Sequence, residues 1–198
     1  MAGQILLVRH ATLPAEYKGH YIGRTDVPAD PLGLRALDGL AVLLAKKKPE
    51  KCYCSPLLRT QQTAGGLLKP LGLQPVLVPD LMEVNFGKWD GLSFDQVTRD
   101  YPEEMQKWTE NADHFAFPEG ESVQTFMERI GRVADRLSQD PAQVVLAVTH
   151  AGVIRGLICH FLQLPFSSFY SFAIQYASCT TLLISGDTGA LAGLNERC

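Results

Sequence analysis

Two histidines in this chain each close an apolar run, and each is followed by a small residue. The first run reads Ile5-Leu6-Leu7-Val8-Arg9-His10-Ala11 and the second Val144-Val145-Leu146-Ala147-Val148-Thr149-His150-Ala151-Gly152. Branched apolar runs of this length predict buried strands, and in α/β folds ligands bind just beyond the carboxyl ends of such strands. His10 and His150 are therefore expected around one pocket. Arg9 adjoins the first histidine, and Arg59 follows Ser55-Pro56-Leu57-Leu58, where Ser55 reads as a helix N-cap and Pro56 as the first helical residue. Arg59 then falls in an opening helical turn, where free N–H groups and the helix dipole already favour an anion. Two imidazoles and two guanidiniums suit a phosphoryl group. Arginine offers planar paired donors to phosphate oxygens, a neutral imidazole can attack phosphorus, and a second imidazole can stabilise charge on the equatorial oxygens.

For Arg9 and His10 to serve one ligand the strand must end there, because neighbours within a strand point to opposite faces. The remaining elements follow from the pattern. A Gly-, Pro- and aromatic-rich loop at 12–30 is too long for a plain connector and is expected to be functional. Leu34, Leu37, Leu40, Ala41, Leu43 and Leu44 recur at helical spacing until Lys46-Lys47-Lys48-Pro49, a solvated basic last turn that complements the helix dipole. Residues 51–54 and 75–79 read as strands, 80–91 as a buried-edge loop carrying Glu83, and 101–119, with Trp108, Phe115 and Phe117, as a partly helical cap over the pocket. Val123, Phe126, Met127, Ile130, Val133, Ala134 and Leu137 form the strongest amphipathic helix, with Ser122 as its cap and Glu128 paired to Arg132. A helix at 153–162 follows His150, 178–185 is a late strand, and Gly186 and Gly189 turn the chain into a last short segment. Strands alternating with helices predict an α/β fold whose sheet is covered on both faces.

The chain has 198 residues, a length that suits one core, and 18 Lys plus Arg against 21 Asp plus Glu give a net charge of −3. That balance lacks the basic excess of sequence-independent nucleic-acid binders. The first apolar run is broken by Arg9, and no run reaches the roughly 20 residues needed to span a bilayer. A soluble, cytoplasmic protein is expected, with no nucleic acid or membrane as partner. The five cysteines, Cys52, Cys54, Cys159, Cys179 and Cys198, are odd in number and lie mostly in apolar runs, as small core residues do. Cys52 and Cys54 share one strand face with no second pair at a zinc-like spacing, and neither a metal nor a cofactor is expected.

Taken together, the motifs resemble the histidine phosphatase superfamily, which includes the cofactor-dependent phosphoglycerate mutases. Leu7-Val8-Arg9-His10-Ala11 is similar to its Arg-His-Gly signature, and Tyr21 to Asp26 with Pro31, Leu32 and Gly33 resembles its first loop. Ser55-Pro56-Leu57-Leu58-Arg59-Thr60-Gln61-Gln62-Thr63-Ala64 is similar to the second-arginine motif, Glu83-Val84-Asn85-Phe86-Gly87-Lys88-Trp89-Asp90-Gly91 to the acidic motif. Phe117 to Ser122 resembles the Pro-Gly-Gly-Glu-Ser segment and Val148 to Gly152 the second-histidine motif. The motifs span nearly the whole chain in the family's order. The resemblance implies a phosphoglycerate mutase-like three-layer α/β/α sandwich with a mostly parallel central sheet. It also implies one histidine phosphatase domain over 1–198, with a cap at about 84–120.

Carried over by position, the resemblance implies His10 as the nucleophile, with Arg9, Arg59 and His150 completing a phosphate pocket and Glu83 as proton donor to the leaving alcohol. Apolar neighbours Leu81, Met82, Val84, Phe86 and Trp89 favour the protonated form such a donor needs. Gly23 and Ala151 are expected to add N–H contacts to the anion, and Tyr21 to line the substrate site. Departures from the family pattern are Ala11 for Gly, Leu13 for Ser or Thr, Glu16 for Asn, Asp90 for Glu and Glu119 for Gly. Phe86-Gly87-Lys88-Trp89-Asp90-Gly91 resembles the phosphatase side, and the small α-ribazole phosphatase branch most of all. The expected activity is a metal-independent phosphomonoesterase acting on a small phosphorylated metabolite, α-ribazole 5′-phosphate of cobalamin biosynthesis among the candidates. A mutase, a broad-specificity phosphatase and a non-catalytic phosphate-binding module are the alternatives, and Glu83 argues against the last, since a binder needs no proton donor. A homodimer is left open.

Overall fold

The computed structural model describes residues 1–197; Cys198, grouped above with the core cysteines, lies outside them. The chain runs β1 (Gln4–Arg9), α1 (Pro31–Arg35), α2 (Asp38–Lys47), β2 (Lys51–Cys54), α3 (Leu58–Leu68), β3 (Pro75–Leu77), α4 (Phe94–Asp100) and α5 (Pro102–Glu110). It continues through α6 (Val123–Ser138), β4 (Val144–Thr149), α7 (Ala151–Phe161), β5 (Cys179–Ser185) and β6 (Thr188–Glu196). The six strands form one sheet in the order β3-β2-β4-β1-β5-β6. The first four are mutually parallel, and β5 pairs antiparallel with both β1 and β6, so the sheet is mixed and mostly parallel, as expected.

Ile5 to Val8 and Val145 to Val148 are all fully buried, which is why these strands read as continuous apolar runs: side chains on both faces are covered. On one face Ile5, Leu7, Val145 and Ala147 pack with α6, α7 and the aromatics Trp89, Phe115 and Phe117. On the other, Leu6, Val8, Leu146 and Val148 pack with α2 and α3. The register β1 to β4 pairs Arg9 with Thr149, so both strands stop level and release His10 and His150 side by side.

Several local expectations change. The helix expected from Leu34 onward is two, α1 and α2, and α1 is opened by Asp30, whose carboxylate accepts from Leu32 N–H at 3.2 Å. Lys47 is not simply solvated, since its Nζ donates to Thr181 Oγ1 and Glu196 Oε1 at 3.0 and 2.9 Å. Ser122 caps α6 as expected, accepting from Thr125 N–H at 3.0 Å. Arg132 reaches Asp80 at 3.2 Å, while Glu128 accepts from Gln124. β3 is three residues long, with a 3₁₀ turn at Pro79–Leu81. The last short segment is the nine-residue strand β6. Cys52, Cys54, Cys159 and Cys179 are buried free thiols. Among the described residues no helix is long and apolar enough to cross a membrane.

Candidate active site

β1 ends at Arg9, and the chain leaves the strand at His10, so that the two side chains reach one cavity, as a shared ligand requires. His10 is buried at 4% exposure. Its Nδ1 lies 2.8 Å from the Ala11 carbonyl, and since a carbonyl only accepts, Nδ1 carries the proton and Nε2 keeps its lone pair. Burial first, then the charges of Arg59 and Arg9, hold the imidazole pKa well below its ordinary 6.5. The ring is neutral at pH 7. Ala11 N–H donates to Thr63 Oγ1 at 2.9 Å, and that hydroxyl donates to the Arg59 carbonyl at 2.7 Å. Buried Thr63 thus ties the His10 turn to the helix that carries Arg59.

His150 follows β4, and its ring centroid is 5.2 Å from that of His10. Arg59 Nε donates to Nδ1 at 3.3 Å, which leaves the ring proton on Nε2 to be donated to Ser55 Oγ at 2.9 Å. Burial, followed by Arg59, His10, Arg9 and Arg129, pushes this imidazole pKa well down too. Ser55 is therefore a site residue and not the expected helix cap. Its N–H still bonds to the Val148 carbonyl at 3.0 Å, so the sheet ladder holds it, and α3 starts only after Leu57.

Arg59 does fall in the first turn of α3, but the free N–H of Leu58 is taken by Asp26 Oδ1 at 2.6 Å. Its guanidinium donates to the carbonyls of Thr25, Gly23 and Ile22 at 2.9, 2.8 and 3.4 Å. Those carbonyls are aimed by Asp90, whose carboxylate accepts from the consecutive N–H groups of Gly23, Arg24 and Thr25 at 3.0, 2.6 and 3.0 Å. The N–H of Gly23 is thus committed to Asp90. Gly23 is a glycine because a Cβ there would sit 2.1 Å from the Val84 carbonyl.

A cavity of about 220 Å³ opens in front of these groups. Arg9, His10, Glu83 and Ala151 line it, whereas Arg59 and His150 are fully buried and do not. Arg9 stacks 3.5 Å over the Tyr176 ring and donates from Nη1 to the Ile174 carbonyl at 2.5 Å, while its buried Nε has no protein partner. Glu83 is nearly buried, yet its setting is not purely apolar. Its carboxylate accepts from Val84 N–H at 3.0 Å and from Gly152 N–H, in the first turn of α7, at 3.1 Å. A Cβ on Gly152 would fall 2.3 Å from Glu83 Oε1, so the glycine makes this seat.

The outer walls are aromatic. Tyr21, Phe86, Trp108, Phe117, Phe169 and Tyr170 all line the cavity, with Arg155 among them. Phe115, expected beside Trp108, packs instead on Trp89 with centroids 5.3 Å apart, within the core. Tyr176 and Arg155 were not singled out from sequence; they come from the segment before β5 and from α7, and only the fold brings them here. Among the described residues no three His, Cys, Asp or Glu side chains are grouped to hold a metal ion.

The chain is matched over residues 5–197 by the family model described as histidine phosphatase superfamily (branch 1). It is 28% identical over 196 residues to phosphoserine phosphatase 1 of Hydrogenobacter thermophilus, covering 98% of this chain and 93% of that one. It is equally 28% identical over 195 residues to the adenosylcobalamin/alpha-ribazole phosphatase of Escherichia coli, covering 98% and 96%. The solved alpha-ribazole phosphatase of Shigella flexneri superposes with a TM-score of 0.89 at 28% identity, over 98% of this chain and 97% of that one. With this fold, this order of motifs and a match over almost its whole length, the chain belongs to branch 1 of the histidine phosphatase superfamily, and it is a phosphatase.

Proposed function

We propose that the chain hydrolyses small phosphomonoesters without a metal, through a phosphohistidine on His10. The observation that carries this reading is the state of that ring: neutral, with its proton held on Nδ1 by the Ala11 carbonyl, so that Nε2 is free to attack. In the first step Nε2 bonds to phosphorus, the bond to the leaving oxygen breaks, and that oxygen takes the proton of Glu83. In the second, the Glu83 carboxylate takes a proton from water as the water oxygen attacks phosphorus, the N–P bond breaks and phosphate leaves. Arg9 meets the phosphate oxygens from the cavity wall. Arg59 joins it by turning Nε from His150 Nδ1 to phosphate, His150 by turning its Nε2–H from Ser55 Oγ to phosphate, and Ala151 and Gly23 add N–H groups, the latter by releasing Asp90.

For the alcohol, the relatives point two ways, to phosphoserine and to α-ribazole 5′-phosphate. The walls formed by Tyr21, Phe86, Trp108, Phe117 and Tyr170 favour a flat apolar ring over a small zwitterion, and α-ribazole 5′-phosphate is the preferred substrate. A panel assayed in EDTA tests this. A kcat/KM for α-ribazole 5′-phosphate above that for phosphoserine supports the assignment; the reverse order, or loss of all activity in EDTA, contradicts it.

A further inference from the structure

Arg129, buried on α6, has no part in the chemistry just described, yet three of its five N–H donors go to the segment that carries Glu83. Nη1 donates to the carbonyls of Asp80 and Met82 at 2.6 and 2.7 Å, and Nη2 to the carbonyl of Glu83 at 3.4 Å. The remaining donors meet Glu121: Nη2 to Oε1 at 2.7 Å and Nε to Oε2 at 3.3 Å. All five N–H groups of the guanidinium are used. Glu121 Oε1 then accepts from Asn85 N–H at 2.7 Å, and the Glu121 N–H donates to the Asn85 carbonyl at 3.0 Å. The pair is almost buried, with side-chain exposures of 6% and 10%.

Glu83 is therefore gripped on both sides along the backbone, by Arg129 before it and by Glu121 after it. Its carboxylate is fixed separately by the N–H groups of Val84 and Gly152. A proton donor gains from being held at one position relative to the leaving oxygen, and a misplacement of about 1 Å costs on the order of 10²-fold in rate. We propose that the Arg129–Glu121 ion pair is the positioning device for the general acid: it sets where Glu83 stands in the cavity without touching substrate. Lysine cannot replace the arginine, because its ammonium has three donors on a point charge and no planar fork.

This inference rests on Glu83 acting as the acid, so the test includes that residue. Arg129→Lys, Glu121→Gln and Glu83→Gln are each assayed on 2-phenylethyl phosphate, whose alkoxide needs a proton to leave, and on 2,4-dinitrophenyl phosphate, whose phenolate does not. The ratio of the two kcat/KM values within one preparation is independent of the fraction of protein folded and reports the transfer to His10, not the hydrolysis of the phosphohistidine that both esters share. Expected is a fall of about 10²-fold in kcat/KM on the alkyl ester with little change in kcat/KM on the activated ester in Arg129→Lys, the same pattern in Glu83→Gln, and a weaker version in Glu121→Gln. Equal losses on both esters in Arg129→Lys, the mark of a merely structural role, would overturn the proposal, as would no loss on either. If Glu83→Gln itself shows no selective loss, the proposal falls with the acid assignment beneath it.

Discussion

Burial and two neighbouring guanidiniums hold His10 and His150 neutral at pH 7, with pKa values below the ordinary 6.5. A nucleophile kept neutral in this way stays competent as pH falls through 6.5 and fails only lower, where it finally takes up a proton. The acid limb of kcat/KM assigned to His10 is thus expected below pH 6.5, and a limb at or above that value contradicts the account. The same shift has a stability consequence. The unfolded chain binds protons at both histidines below 6.5 while the folded one does not, so their contribution is intact above 6.5 and is lost as pH falls. Melting temperature should drop between about pH 7.5 and about pH 5, and drop less in a His10→Asn, His150→Asn double variant. Thr63→Val leaves the buried Ala11 N–H without its acceptor and is expected to cost about 1–3 kcal/mol by urea denaturation. At this scale the sequence was most legible where chemistry sits at strand ends: His10, Arg9 and His150 stand where apolar runs stop. Tyr176 and Ser55 were not legible as site residues, because Tyr176 acts through a ring contact across the fold and Ser55 carries a cap-like signature that the sheet overrides.

Among the elements, α7 does most to set the site, since its first turn supplies the N–H that seats Glu83. Gly152→Ala places a methyl against that carboxylate and is expected to lower kcat for alkyl phosphates at least about 10²-fold by displacing the acid, while the circular dichroism spectrum stays that of wild type. Unchanged kinetics would show that Glu83 does not use this seat. Glu119, where the family pattern has glycine, adopts a left-handed φ of 56°. It is offset only by an exposed pair with Lys88 at 2.7 Å, which is worth little. Glu119→Gly should raise stability by up to about 1 kcal/mol, with a destabilised protein as the contrary result. The elements legible in advance, β1, β4 and α6, share one property: a complete apolar run or stripe. The split between α1 and α2, and the nine-residue β6 with its glycines and alanines, carry no such periodicity and take their form from Asp30 capping and from pairing with β5.

Across the whole molecule, the sheet order β3-β2-β4-β1-β5-β6 makes the site, because it sets β1 beside β4 although 134 residues lie between Arg9, where β1 ends, and Val144, where β4 begins. Periodicity names strands but not their neighbours, so the two histidines could be expected in one pocket from their places at strand ends while their 5.2 Å contact could not. On the proposed chemistry the cavity lined by Arg9 and His10 takes an oxyanion, and inorganic phosphate or vanadate should raise the melting temperature of the wild-type protein, with about 2.7 kcal/mol gained at a hundred times Kd. Arg9→Ala should lose most of that gain, and an equal gain in the variant would place the anion elsewhere. The central claim is the covalent one. Rapid acid-free quenching of the enzyme with a 32P-labelled phosphomonoester in EDTA should yield protein-bound label that is acid-labile, base-stable and located on His10. Turnover that persists in His10→Ala, or label on any other residue, would contradict the account.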